Sequence, residues 1–186
     1  MRKASRPNYY TAIVLLNIPP GALVLLIGAA GSGKSTFARK HFKSTEIVSS
    51  DGLRAAVSDD EAEQSASADA FEVLRLITGR RLARGRLTVI DATSVQREAR
   101  RSLLALAARY GRPAIAIVLR LALETCLARL RSRSGRRVPA EVAEKQTADL
   151  AASLPGLAAE GFEQVYLLEN AGDIDSSQVR IADSSS

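Results

Sequence analysis

The chain has one cysteine, Cys126, and one histidine, His41. A lone cysteine excludes a disulfide framework and a cysteine metal cluster, and with a single histidine it excludes structural zinc. Long apolar runs are also missing: the longest, residues 12–16 and 22–30, fall far short of the roughly 18 needed to suggest a membrane span. The start is basic and partly apolar, but no small-x-small cleavage site precedes a mature domain, so the expected location is cytoplasmic, without a membrane partner. Lysine is scarce too, because Lys3, Lys34, Lys40, Lys43 and Lys145 leave 21 of the 26 basic residues as arginine. That bias suits planar, bidentate partners such as phosphates, although genome composition produces the same preference.

What is present is a globular composition. The 186 residues are 46% hydrophobic and 25% charged with a net charge of +6, which fits one soluble domain with a substantial core. The organising stretch is residues 23–36, LVLLIGAAGSGKST, an apolar strand running into G-x-x-x-x-G-K-[ST] at Gly28, Gly33, Lys34 and Ser35. Glycines let the backbone wrap phosphate oxygens, the next helix turns its N–H groups toward the anion, the lysine reaches the terminal phosphates and the serine ligates Mg²⁺. Residues 31–36, Gly31, Ser32, Gly33, Lys34, Ser35 and Thr36, are therefore expected to hold a nucleoside triphosphate.

Strand patterns at 46–50, 87–91, 113–121 and 164–168 alternate with helical patterns at 52–57, 66–82, 95–109, 122–130 and 140–154. Thr93 with Gln96 reads as a capping box for the helix at 95–109, and Val142, Gln146 and Leu150 share one side of the helix at 140–154. Residues 9–16 read as an extra edge strand, 58–65 as an acidic mobile loop, Pro155-Gly156 as a helix break, and the segment after Asn170 as weakly ordered. The alternation requires crossovers, so the expected fold is α/β, a mostly parallel sheet of about five strands with helices on both faces.

In such a sheet the ligand lies at the carboxyl ends of the strands. Asp51 follows the second strand of that sheet and Arg54 comes one helical turn later, so the pair can activate and grip an acceptor hydroxyl flanked by phosphate; capping of a helix by Asp51 is the competing reading. Asp91 ends the third strand, where it can orient a Mg²⁺-bound water or Ser35, or cap a helix. Arg129, Arg131, Arg133, Arg136 and Arg137 crowd nine residues beside Ser134-Gly135, which suits a lid over a triphosphate better than a solvated basic face, since packed positive charge repels itself without an anion.

Together, the loop with its helix (28–42), Ser49-Ser50-Asp51 with Arg54, the run 57–61 and Thr88-Val-Ile-Asp-Ala-Thr93 resemble the 5′-kinase module of bacterial polynucleotide kinase-phosphatases, over about residues 22–170. The resemblance implies a P-loop kinase domain over 22–170, an N-terminal extension at 1–21 and a tail at 171–186. It implies transfer of the γ-phosphate of ATP or another NTP, with Mg²⁺, to a 5′-hydroxyl end of RNA or DNA. The aspartate matching Asp51 is that family's general base, the arginine matching Arg54 holds the acceptor-side phosphate, and the lid arginines match Arg129 and Arg133, with Arg136 as a third. Ser94 stands where the family usually has Asn, and the family's lid helix usually carries a His near Gln146. The phosphatase and end-sealing modules of the family do not fit within 186 residues, so the expectation is a stand-alone kinase or an excised module. Two other readings stay open: a P-loop kinase for a small alcohol, either metabolite or antibiotic, and a nucleotide-gated regulatory module.

Overall fold

The computed structural model describes residues 14–132 and 138–182. Its centre is a five-stranded parallel sheet of β2 (Leu23–Ile27), β3 (Ile47–Ser49), β4 (Thr88–Asp91), β5 (Ala114–Leu119) and β6 (Gln164–Leu168), in the order β3-β4-β2-β5-β6. The helices α1 (Lys34–His41), α2 (Ser50–Ser58), α3 (Ser67–Ala83), α4 (Arg97–Arg109), α5 (Leu123–Ser132) and α6 (Ala140–Ser153) form the connections. The expected α/β fold is therefore the observed one.

The sheet divides the core in two because alternate side chains of a strand face opposite ways. Leu23, Leu25 and Ile27 of β2 pack with Leu74, Leu82, Leu103 and Leu150 on one face. Val24 and Leu26 pack with Phe37, Ala38 and Cys126 on the other. Every residue of β2 and of β5 is buried, the burial expected of strands covered on both faces. Cys126, a free thiol, is buried in this second core.

Several local expectations change. The N-terminal strand is β1 (Leu15–Ile18); it does not join the central sheet but pairs in parallel with β7 (Gln178–Ile181), with residues 9–13 outside the described set. Leu16 and Ile18 are fully buried against the second core, so the β1–β7 ribbon is packed down rather than loose. The segment after Asn170 is accordingly ordered through residue 182. Asn170 caps α7 (Ala171–Ser176) by accepting from the Asp173 amide at 2.9 Å, and Ile174 is buried.

The Thr93–Gln96 capping box is not made. Helix α4 starts at Arg97 with no side-chain cap, and Ser94 turns the chain with a positive φ of 48°. On α6 Leu150 is buried as the spacing indicated, but Val142 is exposed and Ala143 takes the buried place in its stead. The α-helix ends at Ser153, where Pro155-Gly156 was expected to break it, and the chain goes on as a 3-10 stretch over Leu154–Glu160.

Arg100 lies on the buried face of α4, with Leu103, Leu104 and Ala107. Its guanidinium is fully buried, and Nε and Nη2 donate to the Glu160 carboxylate at 2.7 and 2.5 Å while Nη1 donates to the Ser94 and Val95 carbonyls at 2.8 Å each. One side chain thus closes the β4–α4 loop and ties it to the 3-10 stretch. Breaking a buried pair leaves one charge uncompensated, so R100M is expected to lose about 3–5 kcal/mol in urea unfolding, with the double variant R100M/E160L recovering much of it. A single variant within about 1 kcal/mol of wild type would contradict that role.

Candidate active site

The strand order sets the site before any side chain is considered. Because β4 lies between β3 and β2, Asp91 at the end of β4 falls between Asp51, just after β3, and the phosphate loop, just after β2. The chain reverses direction across β2, which makes its carboxyl end the crevice of the fold.

The loop 28–33 closes tightly. Gly31 and Gly33 have φ of 81° and 97°, which only glycine adopts readily, and a side chain at Gly31 would meet the Cys126 carbonyl oxygen at 2.5 Å. Helix α1 begins directly after Gly33, with no acidic residue in its first turn and no side-chain cap, so its first amides stay open toward the loop. Lys34 Nζ donates to the Gly28 and Ala29 carbonyls at 2.8 and 2.9 Å. Burial pushes its ammonium down to about 8, opposed by the charge of Asp91, then Cys126, then Asp51.

The Ser35 hydroxyl donates to the Asp91 carboxylate. Burial pushes that carboxyl up and Asp51 adds to it, while Ser35, Lys34 and Arg39 oppose the rise. Two hard oxygen donors, one of them a carboxylate, thus meet beside the phosphate loop. Among the described residues there is no cluster of three or more acidic, histidine or cysteine ligands. That donor set fits Mg²⁺, which takes one or two protein oxygens and completes its shell with phosphate and water.

Asp51 sits in the first turn of α2, and the cap is Ser49, whose hydroxyl accepts from the Gly52 amide at 3.3 Å. The capping alternative for Asp51 is therefore replaced. Its carboxylate is about two-fifths exposed and accepts from Arg54 Nη1 at 2.8 Å. Arg54 is not the open side chain that an acceptor clamp suggested: it is buried, with Nη1 also donating to the Glu61 carbonyl at 2.7 Å and Nε to Ser67 Oγ at 3.3 Å. The acidic loop before α3 is thereby fastened to Asp51 through Arg54. Sequence spacing found the pair, but Glu61 and Ser67 become partners only through the packing of α2 on α3.

From the other side, Arg129 of α5 reaches the loop, with Nη1 donating to the Ser32 carbonyl at 3.4 Å. Arg131 is exposed, and Arg133, Arg136 and Arg137 lie outside the described residues. Two features escaped the sequence. The Gln146 side chain, from α6, accepts from the Ala30 amide at 2.8 Å. Beside it lies a cavity of about 410 Å³, lined by Ser32, Leu121, Cys126, Thr147, Leu150 and Glu169. The buried Ser32 hydroxyl has no partner among the described residues. Neither feature has a local signal, because each joins the loop to residues more than a hundred positions away.

The family pattern of the AAA domain matches residues 23–157. No curated protein matches the sequence. Among solved structures, a chain of the Pnkp1/Rnl/Hen1 RNA repair complex is 22% identical with a TM-score of 0.63; the match covers 81% of this chain and 48% of that one, so the chain spans about half of that relative's length. The AvrRxo1-ORF1:ORF2 complex with ATP gives 16% identity and a TM-score of 0.63, over 83% of this chain and 55% of the other. A gluconokinase from Sinorhizobium meliloti 1021 gives 18% identity and a TM-score of 0.52, over 84% and 87%. At these identities the likenesses establish a shared fold.

Proposed function

The chain belongs to the AAA domain family, and from that premise we propose that it is a phosphotransferase, specifically a polynucleotide 5′-hydroxyl kinase. The observation that carries the proposal is the Asp51–Arg54 pair at the start of α2, on the opposite side of Asp91 from the phosphate loop. A donor triphosphate lies along residues 31–36, its nucleoside toward the cavity between the loop and α6 and its γ-phosphate toward Asp51. Ser35, with Asp91 behind it, would hold Mg²⁺, which would neutralise charge on the phosphate oxygens.

Asp51 accepts the proton of the acceptor hydroxyl as its oxygen forms the new P–O bond, and the bond from the γ-phosphorus to the bridging oxygen breaks to release the nucleoside diphosphate. Lys34, Arg129 and Arg133 offset the charge on the moving group. Arg54, buried against Glu61 and Ser67, orients Asp51 toward the acceptor.

A polymeric acceptor is favoured by the groove between α3 and α4, where Arg75, Arg80 and Arg109 flank Tyr110 and Glu72 is the one acidic lining residue. Helix α3 begins at Ser67, which Arg54 contacts, so Arg75 and Arg80 lie about 12 and about 20 Å along it from the acceptor end. The small-alcohol reading keeps its own support in the likeness to the gluconokinase. Acceptor length separates the two. A polynucleotide kinase should show a KM that falls from a dinucleotide to a longer 5′-hydroxyl oligonucleotide, and that rises with salt as released counterions are replaced. Equal KM values across lengths, or faster transfer to a sugar than to any oligonucleotide, would favour the small acceptor.

A further inference from the structure

The peptide between Ala29 and Ala30 is held at both of its polar ends. Its carbonyl, Ala29 O, accepts from Lys34 Nζ at 2.9 Å, and its amide, Ala30 N, donates to Gln146 Oε1 at 2.8 Å. A trans peptide points these two groups in opposite directions, so the pair of contacts fixes the rotation of the peptide plane. The two holders differ in permanence. Lys34 is the side chain that reaches donor phosphates in the reading above, and doing so takes its ammonium away from the Gly28 and Ala29 carbonyls. Gln146 stays with α6, which is anchored independently by Gln96 Nε2 donating to Asp149 at 3.0 Å and by burial of Ala143 and Leu150.

We propose that Gln146 is a positioning residue of the phosphate loop: its side-chain carbonyl keeps the 29–30 peptide oriented for phosphate while Lys34 exchanges loop carbonyls for the donor. The inference rests on reading the loop as the donor site. The next residue, Thr147, together with Leu150 and Ala151, lines the cavity assigned to the nucleoside, so one helix carries both the cavity wall and the loop's anchor.

The test uses Q146L, which keeps the bulk and removes the acceptor, with Q146A as a second variant should the leucine disturb folding. Titration calorimetry should show ATP and ADP binding weakened about tenfold or more, the effect of leaving a partly buried amide without its partner, with adenosine binding unchanged. Amide hydrogen exchange read by NMR should show Ala30 losing protection in Q146L while Leu150 keeps its own. Q146E retains a carboxylate acceptor and should restore Ala30 protection in the nucleotide-free protein. Wild-type ATP affinity in both Q146L and Q146A, or an Ala30 amide that exchanges equally in wild type and Q146L, would overturn the positioning role alone. A wild-type protein that binds neither ATP nor ADP would overturn the donor-site reading beneath it.

Discussion

Replacing Lys34 with alanine is expected to lower phosphoryl transfer by about 10³-fold or more, since it removes a preorganised charge from a site where water is scarce. The geometry explains why the effect is large. Nζ is held 2.8 and 2.9 Å from the Gly28 and Ala29 carbonyls, within the loop whose carbonyls it exchanges for donor phosphate oxygens. The structure buries Lys34 to 9% exposure. Burial of an ammonium is costly, as its shift down to about 8 shows, and its removal offsets part of the packing lost in K34A. The thermal midpoint should therefore stay within a few degrees of wild type, and calorimetry should show weaker ATP binding. Transfer within about tenfold of wild type would remove Lys34 from the machinery.

The second large effect is expected at Asp51. D51N keeps the shape of the side chain and an acceptor for Arg54 but cannot take a proton, so turnover should fall by about 10²–10⁴-fold with ATP affinity unchanged. Stability should change little, because the helix cap is Ser49 and the Asp51 carboxylate is about two-fifths exposed. Restoring the carboxylate as D51E moves it by one methylene and should recover only part of the rate. Full turnover by D51N would leave Asp51 as a support for Arg54, whose buried contacts to Glu61 and Ser67 would then be the main purpose of the pair.

The contrast between these two residues shows what a sequence carries. The loop, its helix and the strand-end carboxylates were legible because each depends on spacing within a few residues: a glycine pair, an i,i+3 pair, an apolar strand ending in Asp. The sheet followed from alternation, since parallel strands need crossovers. Partnerships made across the fold were not legible. Arg100 looks like an exposed helical arginine until Glu160 arrives from the far end of the chain. Gln146 looks like one side of a helix until the loop amide meets it. The segment after Asn170 looks like tail, because its polar residues hide a cap and a four-residue strand that pairs with β1. Thr93 and Gln96 match a capping signature, yet Arg100 draws the Ser94 and Val95 carbonyls inward, and the helix starts later.

The most direct measurement is transfer of label from γ-labelled ATP with Mg²⁺ to 5′-hydroxyl RNA and DNA oligonucleotides, run beside sugars, nucleosides and other small alcohols, with D51N as the control. Label on an oligonucleotide 5′ end with wild type and its loss with D51N is the predicted result. Label on a small alcohol alone, or on no acceptor while ATP binds, would contradict a polynucleotide kinase.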